Sequence, residues 1–188
     1  MKQNGRERGF SMIELLVVTG IILLVAAVAT PTIMRSLMTY RIGGAATEVS
    51  NMLLLTRYEA IRRNTSITCR AEQAEGTWAI WVDRNNDTRR DPEEAVILMP
   101  ASVQLIDSGD APSTDSMGFP RTRPVTTETG VTFDFRGQVN FGGAAPAVLT
   151  IFIGAPNQPA LGFRALSITP AGKIKTWKAA EGGSWYDK

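Results

Sequence analysis

The chain has 188 residues, 44% of them hydrophobic, with 20 basic and 18 acidic side chains. It contains no histidine and a single cysteine, Cys69, which excludes imidazole bases, imidazole metal ligands and any internal disulfide. Three of the basic residues (Lys2, Arg6, Arg8) and one acidic residue (Glu7) lie in the first nine positions, leaving 17 of each sign; overall charge therefore gives no sign of a nucleic-acid partner.

The basic start meets Gly9, and Phe10-Ser11-Met12-Ile13-Glu14 opens a long apolar run. From Leu15 to Met34 there is no charge, about the length that crosses a bilayer as a helix. Glu14 at the margin of that run is costly and needs a compensating partner. A secretory signal peptide has a shorter apolar stretch ending in a small-residue cleavage site, and an ordinary single-span anchor has no use for Glu14. Lys2, Arg6 and Arg8 ahead of the span place that end in the cytoplasm and everything after it outside.

Beyond Pro31 the pattern becomes amphipathic. Ile33, Leu37, Tyr40, Ala45, Val49, Met52, Leu53, Thr56 and Ala60 recur mostly at three- and four-residue steps, the period of one helical face. The expected helix runs from Phe10 to about Arg63, with Asn64 and Thr65 as its stop. Pro31 removes one backbone donor and should kink or loosen it. Gly43-Gly44 is a second weak point. The stripe is broad rather than a strict heptad, so its expected cover is the chain's own C-terminal sheet and not a coiled-coil partner.

The rest reads as β, with strands expected at 67–70, 77–82, 95–99, 103–106, 131–135, 138–141, 147–153, 163–169 and 173–177. Arg136-Gly137 and Ala171-Gly172 are the clearest tight turns, and 107–128, rich in Ser, Thr, Pro and Asp, reads as a long mobile loop. The fold class is α+β, a long N-terminal transmembrane helix packed on a C-terminal antiparallel β-sheet domain. Its divisions are 1–9, a leader; 10–34, the membrane half of the helix; 35–63, the amphipathic half; and 64–188, one β-rich domain with its own modest core.

Asp83, Asn85, Asp87, Asp91 and Glu94 occupy positions 1, 3, 5, 9 and 12 of a Ca²⁺-loop template. Thr88 stands where that template wants glycine, and strands flank the segment, so a solvated hairpin tip is the competing reading. Cys69 beside Ile67 reads as a small core residue. No nucleophile–base constellation can be assembled, so no enzyme activity is expected. Trp78 and Trp81 should split between the two faces of one strand, only one reaching the core. Trp177 and Trp185, near a Gly-rich end, read as partner contacts.

Gly9-Phe10-Ser11-Met12-Ile13-Glu14 and the apolar run after it resemble the processing signal of type IV prepilins and type II secretion pseudopilins. The resemblance implies a type IV pilin-like fold. It also implies cleavage between Gly9 and Phe10 by a prepilin peptidase, N-methylation of Phe10, and Glu14 as the fifth mature residue. Pro31 matches the pilin pattern. Three further stretches resemble the GspH/FimT branch: 55–64 leading to Cys69, 78–94, and 131–138 with the hairpin at 166–175. They imply a minor pseudopilin of the bacterial inner membrane, with its C-terminal domain in the periplasm, that helps start or cap the pseudopilus. The implied partners are other pseudopilins, the prepilin peptidase and the inner-membrane assembly platform. In the filament Glu14 would meet the Phe10 ammonium of a neighbouring subunit, and Phe10, Glu14 and Pro31 are the assembly residues. The alternative is a FimT-like minor type IV pilin for pilus assembly or DNA uptake. For DNA, Lys173, Lys175, Lys178 and Trp177 would supply the contacts, with Gly172-Lys173-Ile174-Lys175 standing where that branch carries a basic Gly-Arg-x-Arg. Lysine lacks the planar fork of arginine, and a solvated edge hairpin is the competing reading. The resemblance implies no required cofactor, and Ca²⁺ enters only through the acidic loop.

Overall fold

The computed structural model describes residues 10–74, 76–125 and 130–187. Gly9 and the rest of the leader lie outside the described residues, as do 126–128 of the loop expected at 107–128. The chain divides into two compact units, the first ending at Leu37 and the second beginning at Met38.

One helix, α1 (Met12–Arg63), runs unbroken through Pro31, so the expected weakness there amounts to one missing backbone hydrogen bond. In the first unit the hydroxyls of Thr19 and Thr30 bond back to the carbonyls of Leu15 (3.0 Å) and Ala26 (2.7 Å), which satisfies them within an apolar segment. Helix α1 ends where Asn64 adopts a left-handed conformation (φ 53°). There the Thr65 amide donates to Ala60 O and the Asn64 amide to Ile61 O, each at 3.2 Å. This is the αL stop motif that Asn supports where Gly is absent.

The second unit contains two sheets. The first has the order β3-β2-β1-β6, from β1 (Ile67–Ala74), β2 (Thr77–Asp83), β3 (Val96–Leu98) and β6 (Val131–Phe133), all antiparallel. The second has the order β10-β9-β8-β7-β4, from β4 (Gln104–Ile106), β7 (Val148–Gly154), β8 (Phe163–Ile168), β9 (Ile174–Ala179) and β10 (Tyr186–Asp187). The short β5 (Thr122–Pro124) adds a parallel pair with β7. The α+β class and the antiparallel domain are as the sequence implied.

The main core joins Ile42, Ala45, Ala46, Val49, Met52, Leu53 and Ala60 of α1 to inward residues of both sheets, among them Ile67, Val82, Phe133, Ile153, Leu166 and Ile168. The helical stripe therefore begins later than expected. Ile33, Leu37 and Tyr40 are exposed, while Ile42 and Ala46 are buried. Packing within the second unit, not apolarity alone, decides which residues of the face are covered.

Three expectations fail for the β region. Residues 138–141 form no strand, only a bridge between Val139 and Phe133. The segment expected to be a mobile loop instead packs against the second sheet. It holds a 3₁₀ turn at Thr114–Met117, the strand β5, and the buried Met117. It covers a second core of Phe152, Phe163, Ala165, Trp177, Ala179 and Trp185, on the face of β7–β9 turned away from the main core. Trp177 and Trp185 are thus buried core residues rather than exposed partner contacts. The Trp177 indole N–H donates to Ser167 Oγ (2.8 Å) and that of Trp185 to Pro112 O (3.1 Å). Trp78 leans, half-buried, on the main core, and Trp81 on the opposite face is buried too, between the cross-strand neighbours Arg70 and Val96.

Candidate assembly site

No residue in the most apolar 18-residue stretch of α1 is buried. Phe10 is 81% exposed, and Leu15, Leu16, Ile21, Ile22, Leu23 and Leu24 are all more than half exposed. Such a surface is stable only in lipid or against other apolar helices. Glu14 has no cationic partner among the described residues of its own chain. It is the single carboxylate in the first turn of α1, where the helix dipole favours it but does not neutralise it.

Near the far end of α1, stretches far apart in the sequence meet in space. Arg57 Nε donates to Gly137 O (2.8 Å) and its Nη2 reaches Ala171 O (3.5 Å). Gly137 closes the turn from Asp134, its amide donating to Asp134 O (2.9 Å), and Gly172 closes the turn from Thr169 in the same way (2.8 Å). Both glycines have positive φ (74° and 77°), and a Cβ on Gly172 would lie 2.2 Å from Gly137 O. The two turns can approach because Gly172 carries no side chain, while a Cβ on Gly137 would instead meet Ile61 and Arg57 of α1. One helical arginine thereby holds the ends of both sheets. The paired Gly turns were visible in the sequence; their common partner was not, because nothing local links position 57 to 137 or 172.

Beside this point Glu59, buried in α1, accepts from Arg62 Nη2 (2.8 and 2.9 Å) and Arg63 Nε (2.8 Å). The Arg62 hydrogen bonds, with help from Arg63 and against the cost of burial, hold its carboxyl below the ordinary glutamate range. Cys69 is buried, and burial pushes its thiol up to about 12, so it is an inert core residue with no reactive thiolate.

The residues of the acidic loop turn to separate tasks. Asp83 is fully buried and its Oδ2 accepts from Arg70 Nε at 2.5 Å and from the Thr88 amide at 3.2 Å. Glu94 accepts from the backbone amides of Arg84 (2.7 Å) and Asp91 (3.2 Å). Asn85 Nδ2 bridges Asp87 and Asp91, at 3.1 Å each. Among the described residues no group of three His, Cys, Asp or Glu is placed to hold a metal ion. The loop is held by its own hydrogen bonds, with Asn86 and Thr88 at positive φ (57° and 69°).

The basic residues near the C-terminus do not share one face. Strand alternation places Lys175 and Trp177 opposite Ser167 and Ala165, and Lys178 opposite Arg164 on the other side of the sheet. Lys175 Nζ pairs with Asp187 (2.8 Å) and lies 4.3 Å from the centroid of the Trp177 ring. Phe119 meets that ring edge-on at 5.8 Å, so Trp177 offers no free face on which a base could stack. Lys173 is exposed in the turn.

A family model described as type II transport protein GspH matches residues 45–172. The prokaryotic N-terminal methylation motif matches residues 4–30, which include Gly9, Phe10 and Glu14. The chain is similar to the minor pseudopilin EpsH from the type 2 secretion system of Vibrio cholerae, at 16% identity over 74% of this chain and 95% of that one, with a TM-score of 0.42. No curated protein matches by sequence. With the family model spanning the end of α1, strands β1 to β8 and both glycine turns, the chain belongs to the GspH family of type II transport proteins.

Proposed function

We propose that the protein is inserted in the bacterial inner membrane by the apolar half of α1, is cut before Phe10 and methylated there, and helps initiate or cap the pseudopilus. The observation that carries this reading is the membrane-length face of α1, uncovered among the described residues, with Glu14 at its start having no cationic partner among them. Removed from the bilayer, that face needs the helices of other subunits. Glu14 needs a cation, which the new amino terminus of a neighbour would supply. Two charges in a low-dielectric filament core are expensive apart and tolerable together, so the pair would set the register between subunits. In this reading the acidic loop and the C-terminal hairpin are structural, and the function requires neither a bound cation nor DNA.

The test is N-terminal sequencing of the membrane-bound product in cells with and without prepilin peptidase, combined with cross-linking of Glu14→Ala to other pseudopilins. Processing to Phe10 and loss of filament incorporation in Glu14→Ala, with insertion unchanged, are expected. An intact Met1 terminus in peptidase-positive cells, or normal incorporation of Glu14→Ala, would refute the reading.

A further inference from the structure

Strand β8 is buried at all six positions, and one of them is an arginine. Arg164 is 5% exposed and lies on the face of β8 shared with Leu166 and Ile168, towards the main core. Of the five N–H donors of its guanidinium, one hydrogen bond is made, from Nη1 to the carbonyl of its neighbour Phe163 (3.0 Å). Its Nε is enclosed and has no partner. The residue opposite it on β9 is a second cation, Lys178, and opposite Lys178 on β10 stands Tyr186. Lys178 Nζ lies 5.8 Å from the Tyr186 ring centroid. Among the described residues no carboxylate is within ion-pair distance of either cation.

This arrangement is costly in the free chain. A buried charge without a counter-ion loses its hydration and gains nothing in exchange. Like charges directly opposite on neighbouring strands add repulsion. Burial accordingly pulls the Arg164 guanidinium below its usual range. The row is graded outward: Arg164 is enclosed, Lys178 is half-buried, and Tyr186 is 51% exposed at the sheet edge. A guanidinium fork, an ammonium and a phenol hydroxyl along one short row have, among the described residues, the Phe163 carbonyl as acceptor and no anion, which is the complement of an oxyanion.

We infer that the row Arg164–Lys178–Tyr186 binds a phosphate-type oxyanion, supplied either as free phosphate or as the head group of a phospholipid. The row lies on the opposite face of the second sheet from Lys175 and Trp177. It also explains why an arginine stands in a strand otherwise built for a core. Without the anion the charge is destabilising; with it, the second sheet gains a tie between β8, β9 and β10.

The test uses the full chain in an uncharged detergent and a phosphate-free buffer. Unfolding midpoints are measured against inorganic phosphate and, separately, against phosphatidylglycerol vesicles, with vesicles of an uncharged glycolipid as the control. Millimolar phosphate should raise the parent's midpoint by about 3 °C or more. Arg164→Met should melt higher than the parent in phosphate-free buffer and should not respond to phosphate, because it removes the unpaired charge. Lys178→Ala, at a half-buried position, should fold normally and lose most of the response. A response to phosphatidylglycerol alone assigns the site to lipid, and a response to inorganic phosphate assigns it to the free ion. Lack of response to both, an equal response in Arg164→Met and Lys178→Ala, or a response to duplex DNA alone would overturn the proposal.

Discussion

Replacing Arg57 by Ala should loosen both sheets from the helix at once. The Nε bond to Gly137 O at 2.8 Å is charge-assisted and worth about 1.5–3 kcal/mol. The Nη2 contact to Ala171 O at 3.5 Å lies at the limit of useful geometry and adds little. A loss of roughly 2–3 kcal/mol in a unit of this size lowers the midpoint by about 5–10 °C. Arg57→Lys should recover less than half of that, because one ammonium cannot meet two carbonyls in different turns. Gly172→Ala attacks the same place from the other side: its Cβ would meet Gly137 O at 2.2 Å while forcing alanine into a positive φ. The two turns then have to separate, and Arg57 loses at least one of its acceptors. The double variant Arg57→Ala/Gly172→Ala should therefore cost clearly less than the sum of the single changes. Unfolding of the full chain in detergent, followed by tryptophan fluorescence, measures the parent and the four variants. If Arg57→Ala melts within about 1 °C of the parent, or if the two changes add, the clamp is not what joins the sheets to the helix.

Two further outcomes follow from particular side chains. Glu59 has its pKa lowered by Arg62 and Arg63, so its contribution is present above the unfolded-state value and is lost as pH falls through the folded-state one. Glu59→Gln should thus cost about 0.5–1 kcal/mol near neutrality, since both arginines are largely exposed, and progressively less as the pH falls below the ordinary glutamate range; a difference that stays constant from neutral to strongly acidic pH would show that the charge is irrelevant. Trp185→Ala should lose about 3 kcal/mol through cavity formation and the missing bond to Pro112. Limited proteolysis should then cut between Asp107 and Phe119 far faster than in the parent, and an unchanged cleavage rate would mean that Trp185 does not hold this segment down.

The N-terminal half of the molecule was legible because its determinants are local. A carboxylate four positions after an aromatic residue, an uncharged run of membrane length, and a helix stop at Asn64 can all be read within a few residues of one another. The hairpins β1–β2 and β8–β9 were legible for the same reason, through alternation and glycine turns. What failed depended on distant neighbours. Segment 107–128 looks mobile by composition, yet its Met117 and Phe119 have Phe152 and Trp177 to cover, and those lie on strands far along the chain. Trp177 and Trp185 read as partner contacts because the face they fill has no cover until that segment folds back. The acidic loop is a different case, since its spacing fits both a Ca²⁺ template and a hydrogen-bonded hairpin tip. Spacing could not reveal that Arg70, across the hairpin, claims Asp83, or that Glu94 is spent on two backbone amides. Arg164 did leave a trace, a lone charge inside an apolar strand, but its importance depends on what stands opposite it on β9.

The order of strands in the first sheet also sets an order of events in time. β1 has one neighbour that follows it almost immediately, β2, and another, β6, that arrives only after β3, β4 and β5 have been made. A hairpin of the first kind closes in about 1–10 μs, whereas the second pairing has to draw together the ends of a long excursion against loop-closure entropy. Until Val131 reaches Cys69, the β1 edge offers unpaired amides and carbonyls to any other chain nearby. This is the interval in which a newly made chain is open to pairing with the wrong neighbour.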